Sequence, residues 1–149
     1  MSFTEPNIRL WLRLLTSARM IEKQLQRELA ASFDTTLPRF DVLATLERAG
    51  TAMAMGELSR ALLVSNGNVT GIVKALERDG HVALEPGESD RRISMVALTP
   101  QGRAHFAHLA KAHHGWVNAM LGDLPPDTRR RLDHDLSTLK SVLAERKTA

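Results

Sequence analysis

Apolar residues recurring at steps of three and four mark the first long element. Over residues 7 to 32, Trp11, Leu14, Leu15, Ala18, Ile21, Leu25 and Leu29 share one side of a 3.6-residue helix, and Arg9, Arg13, Arg19, Lys23 and Arg27 occupy the other. The basic side reads by default as a solvated surface. After a break at residues 33 to 37 comes Pro38, which suits a first helical turn because its missing N–H costs nothing there. A second helix is predicted to run to about Ala49 and to stop at Gly50. A short helix over residues 55 to 62 follows, then Leu63 and Val64. A further helix opens at Ser65, whose hydroxyl can accept an otherwise unpaired N–H. That helix carries Val69, Ile72, Val73 and Leu76 on one side and ends at Gly80. The layout of short helix, tight turn and capped second helix predicts a helix-turn-helix.

Beyond Gly80 the period changes. Residues 81 to 85 and 93 to 98 are short segments rich in β-branched and apolar side chains, separated by Pro86, Gly87, Glu88, Ser89 and Asp90. They predict a hairpin with a polar tip, a wing placed directly after the second helix of the pair. Thr99 and Pro100 form a cap and a first-turn proline for a helix reaching about Leu121. Past Pro125 and Pro126, Leu132, Leu136, Leu139 and Leu143 recur at four, three and four, a seam that wants another helix against it. The expected fold is mainly α with a small β-hairpin wing. It is read as one domain over residues 1–149, with a winged helix-turn-helix at 38–99 carried on a helical frame formed by 7–37 and 100–149.

Composition narrows the function classes. No cysteine is present, which removes disulfides, thiolate metal sites, cysteine nucleophiles and cysteine-based redox switching. No stretch approaches the ~20 apolar residues of a membrane span, and the start lacks a secretory layout, so a cytoplasmic protein without membrane contact is expected. The pI is 9.8 although the net charge is only +3. With neither Cys nor Tyr to titrate, a small excess of base moves the pI far upward. The placement of charge therefore carries more information than its sum.

Two placements point to nucleic acid. On the helix after Ser65, with its apolar face centred between Ile72 and Val73, the opposite side presents Gly67, Thr70, Gly71, Lys74 and Arg78, and Ser65, Asn66 and Asn68 lead or flank it. Amides and hydroxyls there can bond base edges, Lys74 and Arg78 can meet phosphates, and two glycines allow close approach. The plainer reading is a polar, solvent-facing side with an ordinary serine cap. At the hairpin tip, Ser89-Asp90-Arg91-Arg92 brings two arginines to the end of a thin projection that can enter a minor groove. Asp90 suits a carboxylate that holds Arg92 in one orientation. The alternative is an exposed ion pair in a turn, worth only ~0–1 kcal/mol.

The run Asp90-Arg91-Arg92, followed by Val96-Ala97-Leu98-Thr99 and Gly102, resembles the wing signature of the MarR family of regulators. Gly56-Glu57-Leu58, Asn68-Val69-Thr70 and Leu76-Glu77-Arg78-Asp79-Gly80 are similar to its helix-turn-helix. The resemblance implies a sequence-specific transcriptional regulator, commonly a repressor. It implies a homodimer joined through the first, fifth and sixth helices, with two heads on a pseudopalindromic double-stranded DNA operator. It sets Thr70 at a recognition-helix position and Arg92 at the minor-groove arginine. Arg39 joins the expected DNA-binding set of Ser65, Asn66, Asn68, Thr70, Lys74, Asp90, Arg91 and Arg92. Gly71, where many members carry arginine, and Leu84, where a basic residue is frequent, depart from the pattern and shift weight to Asn66, Asn68 and the wing.

The same resemblance implies a small aromatic effector held between frame and head. Trp11, Leu15, Phe40, Leu43, His105 and Phe106 could line its space, with Arg39 as anion partner; the alternative is that these residues are core. Leu10-Trp11-Leu12-Arg13-Leu14-Leu15 and residues 65 to 71 resemble members that answer to hydroxycinnamoyl-coenzyme A thioesters. His105 and His108, with His113 and His114 further on, raise a metal-responsive regulator as an alternative, though only the first pair shares a helix face, and neither metal nor cofactor is expected. No phosphate loop, His-Glu-x-x-His pair or nucleophile elbow occurs, so an enzyme is not expected. A winged helix that binds proteins instead of DNA remains the other class.

Overall fold

The computed structural model describes residues 5–62 and 66–146. Six helices and three strands are found among them: α1 Pro6–Phe33, α2 Leu37–Ala49, β1 Met53–Ala54, α3 Met55–Leu62, α4 Asn66–Arg78, β2 Val82–Pro86, β3 Ser94–Leu98, α5 Pro100–Leu121 and α6 Pro126–Arg146. Local chemistry explains most of the boundaries. Thr36, one residue earlier than the proline suggested, caps α2 by accepting the Arg39 N–H at 3.3 Å. Gln26 of α1 accepts the Leu37 N–H at 2.9 Å, so the start of α2 is pinned to its predecessor. At α3, Glu57 reaches back to accept the Ala54 N–H at 3.2 Å, half of a reciprocal capping arrangement. The Ser65 cap expected for α4 lies outside the described residues.

By packing, the chain divides into two compact units, Met1–His113 and His114–Ala149. The core of the first is built by Leu25 and Leu29 of α1, Phe40, Val42, Leu43 and Leu46 of α2, Leu58 of α3, Val69, Val73 and Leu76 of α4, Val82 and Val96 of the sheet, and Leu109 of α5. The sheet is antiparallel in the order β1-β3-β2, with β3 central: Val96 faces Met53 on one side and Leu84 on the other. The hairpin is as the pattern predicted. The third strand is too short to show a period of two.

The end of the helix-turn-helix is fastened to the start of α5. Gly80 turns the chain out of α4 at φ 81°, a left-handed conformation that L side chains rarely adopt. Its carbonyl accepts the Thr99 hydroxyl at 2.6 Å. The same hydroxyl oxygen accepts the Gly102 N–H at 2.9 Å, and the Thr99 N–H reaches the His81 carbonyl at 3.1 Å. Gly102 is fully enclosed here, because a Cβ would overlap the carbonyl oxygen of His81. Thr99 is thus the predicted cap of α5 and also a rivet between α4, the base of the wing and α5.

In the second unit, α6 follows a turn closed by Gly122 N–H to Asn118 carbonyl at 2.8 Å and Leu124 N–H to Leu121 carbonyl at 3.2 Å. Among its described residues α6 buries none. Leu132, Leu136 and Leu143 are 44%, 40% and 52% exposed, and Leu139 is half-buried.

Candidate nucleic-acid interface

Burial along α4 fixes which side is free. Val69, Val73, Ala75 and Leu76 are buried, whereas Ile72 is only half-buried. The apolar centre therefore lies along the Val69–Val73–Leu76 line, within about 20° of the point between Ile72 and Val73 that the sequence pattern gave. At 100° per residue the outward face is centred on Gly71, Lys74 and Arg78, all exposed. Thr70 sits on the flank, half-buried and already engaged in a contact. Asn68 is exposed but turned to the other flank, where it shares a cleft with Ile72. Asn66 opens α4, but its side chain, like Ser65, lies outside what the structure describes.

The wing tip holds the pairing expected from Ser89-Asp90-Arg91-Arg92. Arg92 donates from Nε to Asp90 Oδ1 at 3.1 Å and from Nη2 to Oδ2 at 3.2 Å, a two-pronged fork. Its backbone N–H adds a third bond to Oδ1 at 3.0 Å. These bonds hold the Asp90 carboxyl below its ordinary value of 3.8, the side-chain bond acting first and the backbone bond second. The Arg92 side chain is nevertheless 91% exposed. Its planar fork is ordered on one edge and open on the other. Arg91 is exposed and borders a hollow with Glu85 and Glu88. Arg39 stands half-buried in the first turn of α2.

The residues expected around an effector are not brought together as a lining. Phe40 and Leu43 are 5% and 0% exposed, and they are core: three apart on α2, they face side chains, not space. Phe40 packs against Phe106 at 5.5 Å and stacks on His113 at 4.3 Å. His105 stacks on His81 at 4.1 Å, nearly parallel. Burial, then the neighbouring His81 and His108, lower the His105 pKa from 6.5, with Asp79 opposing. Leu15 is half-buried and Trp11 is 55% exposed. Among the described residues no group of three or more His, Asp or Glu is arranged to hold a metal ion. Likewise, no described helix is long and apolar enough to cross a membrane.

A different concavity exists, and the pattern reading missed it. A cleft of about 440 Å³ is lined by Gln26, Thr36, Pro38, Asp41, Leu62, Asn68 and Ile72. Asp41 keeps much of its surface open, yet the cleft walls crowd its carboxyl. This partial desolvation, aided by Glu22 and opposed by Arg48, pushes its pKa up to about 6. One carboxylate on an amphipathic helix gives no periodic signal.

A polar helix face, a projecting arginine wing and a riveted joint between them define a winged helix-turn-helix regulator of transcription. A model described as MarR family matches residues 33–93. The transcriptional activatory protein BadR of Rhodopseudomonas palustris is 41% identical over 121 residues, covering 77% of this chain and 67% of BadR. The chain belongs to the MarR family. Two solved structures share the fold. A point mutant of Escherichia coli MarR complexed with operator DNA is 22% identical with a TM-score of 0.79, covering 93% of this chain and 99% of that one. Bordetella bronchiseptica BpsR, solved in work on regulation of its DNA binding by 6-hydroxynicotinic acid, is 21% identical with a TM-score of 0.77, covering 94% and 96%.

Proposed function

We propose that the protein binds a pseudopalindromic operator as a homodimer, laying one α4 in each of two successive major grooves and one wing in each flanking minor groove. The observation that carries this reading is the Asp90–Arg92 fork, which presents an ordered and solvent-open guanidinium at the wing tip. An exposed ion pair adds little stability, so its value lies in preparing Arg92 for a partner of negative potential. The exposed seam of Leu132, Leu136 and Leu143 supports the homodimer, since large apolar side chains repeated at heptad spacing are covered by another helix. Hydroxyl-radical footprinting on DNA selected by the full chain tests the geometry. Two protected half-sites about 34–36 Å apart are expected, and a single protected half-site counts against it.

DNA affinity is set by a small aromatic effector in this reading. BpsR, which has the same fold and whose DNA binding is regulated by 6-hydroxynicotinic acid, supports that class. Hydroxycinnamoyl-coenzyme A thioesters are the specific candidates, and calorimetric titration with coumaroyl- or feruloyl-coenzyme A decides for or against them. Repression is the primary expectation. BadR, named an activatory protein, favours activation as a second reading. Reporter transcription in a deletion strain separates them: it rises if the protein represses and falls if it activates.

A further inference from the structure

Two histidine rings that the proposed DNA contacts do not use meet where the winged helix-turn-helix joins α5. His81 stands in the turn leading from α4 into β2, and its ring stacks on His105 of α5 with centroids 4.1 Å apart and planes within 7° of parallel. The backbone of His81 is the fixed part of the same joint. Its carbonyl accepts the Thr99 N–H at 3.1 Å, and the same oxygen is what a Cβ at position 102 would strike. Nδ1 of His81 is shut off from solvent and meets no hydrogen-bond partner among the described residues. A neutral imidazole can leave that nitrogen bare, whereas an imidazolium carries N–H on both nitrogens and needs an acceptor that the joint does not supply. The surrounding charges act in the same direction. His108 lies three residues on along α5, Asp79 follows the last residue of α4, and the adjoining sheet pair, Val82 with Leu98, is uncharged. Burial first, then His81 and His108, hold the His105 pKa below 6.5, and Asp79 opposes them.

We infer that the His81–His105 stack is a proton-operated latch on DNA binding: with both rings neutral it holds α4 and the base of the wing against α5, and on acidification it parts and operator affinity falls. The inference rests on the proposed DNA-binding reading and adds the proton to it as a regulating ligand. Once both rings carry protons, two like charges face each other at 4.1 Å, with His108 beside them. Parting the rings draws the His81 turn away from Thr99 and Gly102, whose N–H bonds close the joint. α4 ends and the wing begins at this turn, so its movement changes how the two reading elements are presented together. The expected direction is opposite to the ordinary one. Added positive charge by itself strengthens attraction to phosphates, so a fall in affinity on acidification isolates the latch.

The test measures fluorescence anisotropy of a duplex enriched by the full-length chain at about pH 7.5, from that pH down to about pH 5 at constant ionic strength, with wild type, His105→Phe and His81→Phe. Phenylalanine keeps a flat ring in the stack and removes the titrating nitrogens. Wild-type affinity is expected to fall roughly tenfold or more across the range, whereas in both variants it should hold or rise. Asp41, whose carboxyl titrates at about 6, is present in all three proteins, so its contribution is common to them. Amide hydrogen exchange on the free protein, corrected for the intrinsic pH dependence of exchange, gives a second readout that needs no DNA. The Thr99 and Gly102 N–H groups should lose protection at about pH 5 in the wild type and keep it in His105→Phe. Circular dichroism confirms that the variants fold. Wild-type affinity that holds or rises on acidification, a fall that persists in both variants, or unchanged protection of Thr99 and Gly102 overturns the inference. Absent DNA binding at about pH 7.5 is a distinct failure, which removes the regulator reading itself and the coupling with it.

Discussion

Replacing Gly102 by alanine tests the rivet that sets the wing and α4 against α5. The new Cβ would overlap the His81 carbonyl oxygen and sit 2.7 Å from its carbonyl carbon and 2.9 Å from its Cα. All three are backbone atoms, so no side-chain rotation relieves the contact. Reaching ordinary separation requires opening the joint by more than about 1 Å. That movement breaks the 2.9 Å bond from Gly102 N–H to Thr99 and strains the 2.6 Å and 3.1 Å bonds of Thr99 to Gly80 and His81. At about 1 kcal/mol for each hydrogen bond, with added strain and a helix-propensity gain of ~1 kcal/mol working against it, the net loss is roughly 3–4 kcal/mol. Gly71→Ala is the matched control. It adds the same methyl where nothing lies within 4 Å and should stabilise by up to ~1 kcal/mol. Urea unfolding followed by circular dichroism, at one protein concentration, reads both. With a slope of about 2 kcal/mol/M, Gly102→Ala should lower the midpoint by roughly 1.5–2 M. A midpoint within ~0.5 M of wild type refutes the rivet.

Three further outcomes are expected. Because the folded-state pKa of His105 lies below its ordinary 6.5, the unfolded chain binds that proton more readily, and the stability present above 6.5 is lost as pH falls through the depressed value. Thermal melts at about pH 7 and about pH 5 should show this decline, and it should be smaller in His105→Gln. Leu136→Glu with Leu143→Glu places charges on the exposed seam, and light scattering after size exclusion is expected to report a dimer for the wild type and a monomer for the variant; a dimer that persists in the variant moves the interface elsewhere. Lys74→Ala should lower the salt slope of DNA binding by about one unit with little change in sequence preference. Thr70→Ala should do the reverse, and identical behaviour of the two variants counts against the division of roles.

Legibility in the sequence followed signal length. The start of α5 was readable because Thr99 and Pro100 mark it chemically. The hairpin and its Asp90–Arg92 fork were readable because turn residues isolate a short charged tip. Strand β1 was not, since Met53 and Ala54 show no period and pair only because β3 offers an edge. The residues set around an effector were the least legible. Phe40 and Leu43 carry a pattern that serves core and pocket alike, and only the packing of Phe106 and His113 on Phe40 shows that the core reading wins. Asp41 acquires its character first from crowding by cleft walls contributed by four helices and then from Glu22, far off in sequence.

The central claim is sequence-specific DNA binding through α4 and the Arg92 wing. Fluorescence anisotropy on a duplex enriched from random sequence by the full chain, set against a scrambled duplex at the same salt, tests it most directly. The account predicts affinity for the selected duplex at least ~10³-fold above the scrambled one. It also predicts a loss of roughly 10- to 100-fold on that duplex in an Arg92→Ala protein that remains folded and dimeric. Failure to enrich any sequence, or equal affinity of wild type and Arg92→Ala for the selected duplex, contradicts it.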